Sequence, residues 1–279
     1  MSGTLYVVAT PIGNLDDLTP RARQTLGEVD LIAAEDTRRT GRLLSHIGCK
    51  KRLLALHDHN EAELANELVE MLKSGRSIAI VSDAGTPLVS DPGFKLVREA
   101  HQHGIAVSPV VGASAVTAAL SASGLATDPF CFEGYLPSRP TARRSALYAL
   151  AQEKRTLVFY ESVHRIRDSL ADMAAAFGAS RLAFLARELT KLHEQCVQGT
   201  LQDLCAMVDA VEIVQKGEFA IVVAGAEAAA EAPLYADKLL LALVDRVSLK
   251  DAAQIAAAAT GGKRNELYQR LLQLKGEAD

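Results

Sequence analysis

No stretch of this chain is apolar for long enough to cross a bilayer. The N-terminal run MSGTLYVVAT lacks the basic region of a signal peptide and leads straight into a strand-like segment. A cytoplasmic protein is the expectation. Cysteine is sparse: Cys49, Cys131, Cys196 and Cys205 are scattered, with no CxxC pair, which argues against a zinc knuckle or a disulfide framework. The histidine pairs His57/His59 and His101/His103 have no third ligand at a useful spacing, so no metal is expected. Also missing are GxG, GxxxxGK[ST] and GxSxG. Their absence removes the dinucleotide fingerprint, the glycine loop of Rossmann-type methyltransferases, the P-loop and the hydrolase nucleophile elbow. Positive charge is not in excess either; the net charge is −4, which confines any contact with RNA to local basic patches.

What is present reads as an ordinary globular protein, 49% hydrophobic and 23% charged, with 279 residues to build more than one core. The first half alternates strand and helix. Strands are expected at 5–10, 30–35, 53–56, 77–82 and 106–111. Between them fall a helix opened by Thr19-Pro20, one from about Arg38, one striped by Leu64, Leu68 and Leu72, and one capped by Asp91-Pro92. An Ala-rich helix over 113–122 closes the series. Such alternation predicts a mainly parallel sheet with helices on both faces.

The texture changes at 124–140, where Gly, Pro and Asp crowd together as in a linker. A second α/β unit follows: a strand at 155–161, a helix at 163–177, a strand at 181–186, a helix at 200–208 and a closing strand at 218–224. An Ala/Glu linker over 225–233 leads to three short helical stretches near 234–246, 249–258 and 263–274. Ser248 and Asp251 form a capping box, and Gly261-Gly262 separates the last two stretches. Two short helices across a glycine turn fit either a helix-turn-helix or a helical cap. The expected organisation is an N-terminal α/β domain over 1–125, a second α/β domain over 126–225 and a helical extension over 226–279.

Ligands of open parallel sheets sit at the carboxyl ends of strands. Three Gly/Pro-bearing loops fall there: Thr10–Asn14, Asp83–Pro87 with Ser90–Gly93, and Gly112–Ser114. One such loop is plain turn chemistry; three along one edge predict a site. The segments ATPIGNL (9–15), AAEDTR (33–38), HDHN (57–60), SDAGTPLVSDPG (82–93), FYESVHR (159–165), ARELTK (186–191) and KGEFAIVV (216–223) resemble the motif series of the ribosomal RNA small subunit methyltransferase I family, within the tetrapyrrole-methylase superfamily. The likeness runs from about residue 4 to 275. In the third loop Val111 and Ala113 stand where that family carries prolines beside the glycine.

That resemblance implies two α/β domains with the ligand cleft between them. The donor would be S-adenosylmethionine, held by Pro11, Asp83, Ala84, Gly85, Thr86, Pro87, Ser90, Asp91, Gly112, Ser114, Tyr160, Glu161, Lys216, Gly217 and Glu218. The implied reaction is 2′-O-methylation of a cytidine ribose in the decoding region of 16S rRNA, within the small ribosomal subunit, by a homodimer. A ribose hydroxyl is a poor nucleophile until its proton leaves, so a base or a cation facing the developing alkoxide is expected. Glu188 or Asp36 is the candidate base, with Lys191 or Arg38 as its cationic partner. The dipole of the following helix accounts for Asp36 but not for Arg38. Arg139, Arg143 and Arg144, with Arg155 nearby, are candidate phosphate contacts, as are His164, Arg165, Lys263 and Arg264. The competing readings are a precorrin-type C-methyltransferase acting on a small tetrapyrrole and a non-enzymatic RNA-binding protein; donor titration separates the latter from both enzymes.

Overall fold

A computed structural model describes residues 2–226, 231–244 and 246–276, and the chain divides into two compact units, 1–225 and 226–279. The first unit begins with the strands β1 (Thr4–Val8), β2 (Leu31–Ala34), β3 (Leu53–Ala55), β4 (Ile78–Val81) and β5 (Ala106–Val110). They lie in the order β3-β2-β4-β1-β5, every neighbouring pair parallel, as the alternation predicts. Successive side chains of a strand point to opposite faces. Leu5, Ile78 and Ile80 accordingly enter one core with Leu68, Leu72 and Leu96, whereas Val8, Ala79 and Val81 enter another with Leu26 and Leu44. The covering helices are α1 (Pro20–Glu28), α2 (Thr37–His46), α3 (Glu61–Lys73) and α4 (Phe94–Gln102), and α5 (Ala115–Ser123) follows the last strand.

One helix start differs from expectation. α4 is not capped by Asp91-Pro92; it opens after Gly93, whose φ is +125°, without a local side-chain cap. The buried Glu61, at the start of α3, does the capping from 32 residues away. Its Oε1 accepts hydrogen bonds from the backbone N–H groups of Gly93 (3.1 Å), Lys95 (2.6 Å) and Leu96 (3.3 Å). Free N–H groups at a helix start need such an acceptor, and a carboxylate also suits the positive end of the dipole.

The second half of this unit is a five-stranded sheet of β6 (Phe130–Tyr135), β7 (Thr156–Ser162), β8 (Leu182–Arg187), β9 (Gln195–Thr200) and β10 (Glu218–Val223). The order is β6-β7-β10-β8-β9; only β6 and β7 run parallel. Helices α6 (Pro140–Ala149), α7 (Ile166–Phe177) and α8 (Leu201–Asp209) enclose one core with Phe159, Leu185 and Ile221. Val158, Phe184 and Val222, on the opposite face, pack against Val116, Ala119 and Leu120 of α5, so the helix that follows the first sheet is buried against the second. β6 lies inside the segment that reads as a linker, and β9 lies in a stretch with no apolar run to announce it.

The second unit holds α9 (Glu231–Leu243), α10 (Leu249–Thr260) and α11 (Arg264–Gly276) around Leu240, Ala252, Ala256 and Leu271. Ser248 caps α10, Gly261 ends it at φ +71°, and Arg270 pairs with Asp237 at 2.7 Å. Residues 227–230 of the expected Ala/Glu linker, residue 245 of the expected first helical stretch and residues 277–279 lie outside the described residues.

Candidate active site

A parallel sheet delivers the loops after its strands to one edge. The loop after β1 is stitched to the loop after β4 by two backbone hydrogen bonds, Thr10 N–H to Gly85 O (2.9 Å) and Gly85 N–H to Thr10 O (3.0 Å). Thr86 Oγ1 then donates to Ala113 O (3.2 Å) in the loop after β5. From the second sheet come the ends of β6, β7 and β8 and the beginning of β10. Between these two edges runs a cleft of about 260 Å³, walled by residues such as Asp83, Thr86, Asp91, Ser114, Tyr160 and Lys191.

The backbone around the cleft is unusual. Among the described residues, four of the five non-glycine positions with left-handed φ flank it: Leu88 (72°), Ser90 (66°), Glu188 (51°) and Thr190 (66°). Such conformations cost about 1–3 kcal/mol each and persist where the surroundings over-determine them. Two glycines let the backbone pass close to Lys191 and Glu188. A Cβ on Gly13 would collide with the Lys191 side chain, and one on Gly217 with the Glu188 carboxylate. Asn14 N–H also donates to Thr190 Oγ1 (3.0 Å), tying the first loop to the loop after β8.

Two electrostatic centres result. On the first sheet, Glu35 Oε2 accepts from Asp83 N–H (3.1 Å), Asp83 Oδ1 accepts from Asp36 N–H (3.0 Å), and Arg39 reaches Asp83 Oδ2 at 3.3 Å. Burial pushes the Glu35 carboxyl above its ordinary range. Asp91 is raised further, to about 7, first by burial and then, against a hydrogen bond from Ser82, by repulsion from Glu35, Asp83 and Asp58. A pocket that withholds ionisation from a carboxylate in this way is suited to a positively charged ligand. On the second sheet, Lys191 Nζ sits 2.7 Å from Glu188 Oε1 and 2.9 Å from Glu218 Oε2, and Glu218 N–H donates to the same Glu188 oxygen (3.0 Å). Burial acts against both charges, but the hydrogen bonds prevail: Lys191 lies above the ordinary lysine range and Glu188 below that of a glutamate. The ammonium therefore stays charged at neutral pH. Tyr160, pushed up to about 12 chiefly by burial, stays a neutral hydroxyl; its ring tilts against that of Tyr135, 5.6 Å between centroids.

The cleft gathers Asp83, Ala84, Gly85, Thr86, Ser90, Asp91, Ser114, Tyr160, Glu218 and Lys191 from the sequence reading. Pro11 borders an adjoining hollow, and Gly112 a shallow groove beside the exposed Val111. Others fall elsewhere. Glu161 is buried, with Oε1 accepting from Ser162 N–H (2.7 Å) and paired to Arg165 (2.7 Å), and Oε2 accepting from Ser169 Oγ (2.6 Å). It has no oxygen to spare, and Arg165, which also donates to Leu136 O (3.0 Å), is held inward with it. Pro87 is buried outside the cleft wall; Lys216 and Gly217 are exposed and do not border it. The Lys216 carbonyl accepts from the buried Arg187 (2.7 Å).

Asp36 caps α2, accepting from Arg38 N–H (2.7 Å), and grips the Arg38 guanidinium at 3.1 and 2.7 Å. That grip holds its carboxyl far below the usual range, and Arg38, with an 86% exposed side chain, does not line the cleft. The helix cap thus accounts for both residues. Arg143 is buried against Asp172 (2.7 Å), whereas Arg139, Arg144 and His164 are exposed. Lys263 pairs with Glu266 (3.2 Å), next to the exposed Arg264. Glu35, Arg39 and Tyr135, outside the expected site, also stand in the cleft wall. For the first two the sequence signal is their position at the end of β2; Tyr135 has none, because its strand reads as a linker.

Residues 4–205 match the family model of the tetrapyrrole (corrin/porphyrin) methylases, and residues 227–275 match the model described as the RsmI C-terminal HTH domain. Uroporphyrin-III-C-methyltransferase from Thermus thermophilus superposes with a TM-score of 0.55 at 21% identity, over 80% of this chain and 94% of that one, a likeness of fold. The family model, matched over most of the chain, places it among these methylases. The ribosomal RNA small subunit methyltransferase I of Xylella fastidiosa is 52% identical over 95% of this chain and 98% of its own. That of Escherichia coli O157:H7 is 50% identical over 98% and 96%. The chain belongs to the ribosomal RNA small subunit methyltransferase I family. It is accordingly an S-adenosylmethionine-dependent methyltransferase.

Proposed function

We propose that this chain methylates the 2′-hydroxyl of a cytidine ribose in the decoding region of 16S rRNA, using S-adenosylmethionine. The observation that carries the reading is the near full-length likeness, at about half identity, to relatives named for methylating small-subunit ribosomal RNA. The solved tetrapyrrole methylase shares only the fold at its level of identity, so a small tetrapyrrole acceptor has less support.

The cleft suits the donor. Glu35, Asp83 and Asp91 offer negative charge to its cationic groups, Tyr160 and Tyr135 offer aromatic surface to its base, and Ser114 a hydroxyl. Pro11, Ala84, Gly85, Thr86, Ser90 and Glu218 complete the proposed set. When bound, the donor supplies a sulfonium methyl group for in-line transfer to oxygen. The protein's part is then positioning and charge. Lys191, protonated and fixed by Glu188 and Glu218, faces the developing alkoxide. Glu188, the other candidate, borders neither the cleft nor the adjoining hollow; ionised at neutral pH, it serves by holding the Lys191 ammonium in place, and the gain falls to Lys191. Arg139, Arg144 and His164, with Lys263 and Arg264 of the second unit, are surface contacts for RNA.

We further propose a homodimer, the assembly that the family resemblance implies. No described helix is long and apolar enough to cross a membrane, and a cytoplasmic location suits a ribosomal substrate. The test is transfer of labelled methyl groups to unmodified 30S subunits with mapping of the modified ribose. Label on a single 16S cytidine ribose is expected; label entering a tetrapyrrole instead would overturn the reading.

A further inference from the structure

An acceptor oxygen must meet the donor in line, so its pocket has to share a wall with the donor cleft. A second hollow, of about 270 Å³, does so: Ile12, Arg39, Asp83, Ala84, Lys191 and Glu218 border both. Its remaining wall has two characters. Pro11, Leu15 and Leu43 give an apolar lining with Leu15 partly open to solvent, and α2 adds Arg42 beside Arg39.

The three arginines of α2 are not equivalent. Asp36 neutralises Arg38, and Asp83 holds Arg39. Arg42 is exposed and has no ion-pair partner among the described residues. Arg39 and Arg42 are three residues apart, on one helix face. The shallow groove on the other side of the first loop, lined by Val111, Ser114 and Thr117, has Asp17 and no cation in its wall. Of the two cavities beside the donor cleft, only the α2 hollow thus combines cations, an apolar surface and a boundary shared with Lys191.

We propose that this hollow receives the acceptor nucleotide: the pyrimidine lies against Pro11 and Leu15, the ribose hydroxyl sits at the shared wall by Lys191, and Arg42, with Arg39, binds the flanking phosphates. The inference rests on the RNA reading above and shifts the grip nearest the reacting ribose from Arg139 and Arg144 to α2. Phosphate contacts fix register, and each one lost flattens the salt dependence.

The test compares Arg42→Glu, Arg42→Lys and Arg144→Glu for KM on unmodified 30S subunits, for the slope of log kcat/KM against log salt, and for donor affinity by calorimetry. Arg42→Glu is expected to raise KM about tenfold or more and reduce the slope by about one. Its donor affinity should stay within about twofold of wild type, because Arg42 lies outside the donor cleft. Arg42→Lys should recover most of the loss. A wild-type KM and slope for Arg42→Glu, or an equal loss in Arg144→Glu, would overturn the proposal. If the wild-type protein itself bound donor yet transferred nothing to 30S subunits, the RNA reading would fail and this inference with it.

Discussion

The two five-stranded sheets share a cleft but contribute to it differently. In the first, all strands run parallel, so every strand-to-helix loop reaches the same edge, and the segments after β1, β2, β4 and β5 build one wall. In the second, antiparallel pairing sends successive loops to opposite edges, and only selected ends reach the cleft. The first wall is acidic, with Glu35 and Asp91 raised and Asp83 beside them; the second carries the fixed ammonium of Lys191. Parallel topology collects a binding surface, whereas the mixed sheet places a few side chains where charge develops.

If that division holds, the largest effect belongs to the second sheet. Lys191→Met should cut single-turnover methyl transfer about 100-fold or more while leaving donor affinity within a few-fold. Loss of donor binding with normal transfer in the residual complex would break the comparison. Arg143→Ala probes the same sheet as architecture: removing one partner of the buried pair with Asp172 should cost about 3 kcal/mol in denaturant unfolding. The salt dependence of RNA methylation should not change, and a change would return Arg143 to the RNA contacts.

On the first sheet, Glu61→Ala strips the cap from α4 and should cost about 2 kcal/mol. Donor affinity should weaken with it, because the loop over 83–93 ends on that cap. Glu61→Gln keeps an acceptor and should restore much of both, which a loss of charge alone would not allow. The smallest effect is a pH dependence. The raised Asp91 carboxyl favours folding at low pH and withdraws that support as pH rises from 3.8 through about 7. A cationic donor reverses the preference, so calorimetry near pH 6 to 7 should show proton release and tighter binding as pH rises. Asp91→Asn should abolish the proton release while leaving some affinity.

What the sequence disclosed follows the same contrast. The parallel sheet was legible because its strands are short apolar runs spaced by striped helices, and its loops bear Gly and Pro at the strand ends. The mixed sheet was half-hidden. β6 carries Gly134 at a bulge and follows a Pro/Asp stretch, so it imitated a linker; β9, QCVQGT, is a half-exposed outer strand. Contacts distant in sequence were also out of reach. Nothing near Gly93 points to Glu61 as its cap, and nothing near Arg143 points to Asp172. The donor's identity and the RNA acceptor came from the motif series, which periodicity cannot supply.

A crystal structure with S-adenosylhomocysteine tests the division of labour most directly. The account predicts the ligand seated against Asp83, Thr86, Ser114 and Tyr160, with its sulfur facing Lys191 and the α2 hollow left open. A ligand lodged in that hollow against Leu15 and Arg42 would contradict it.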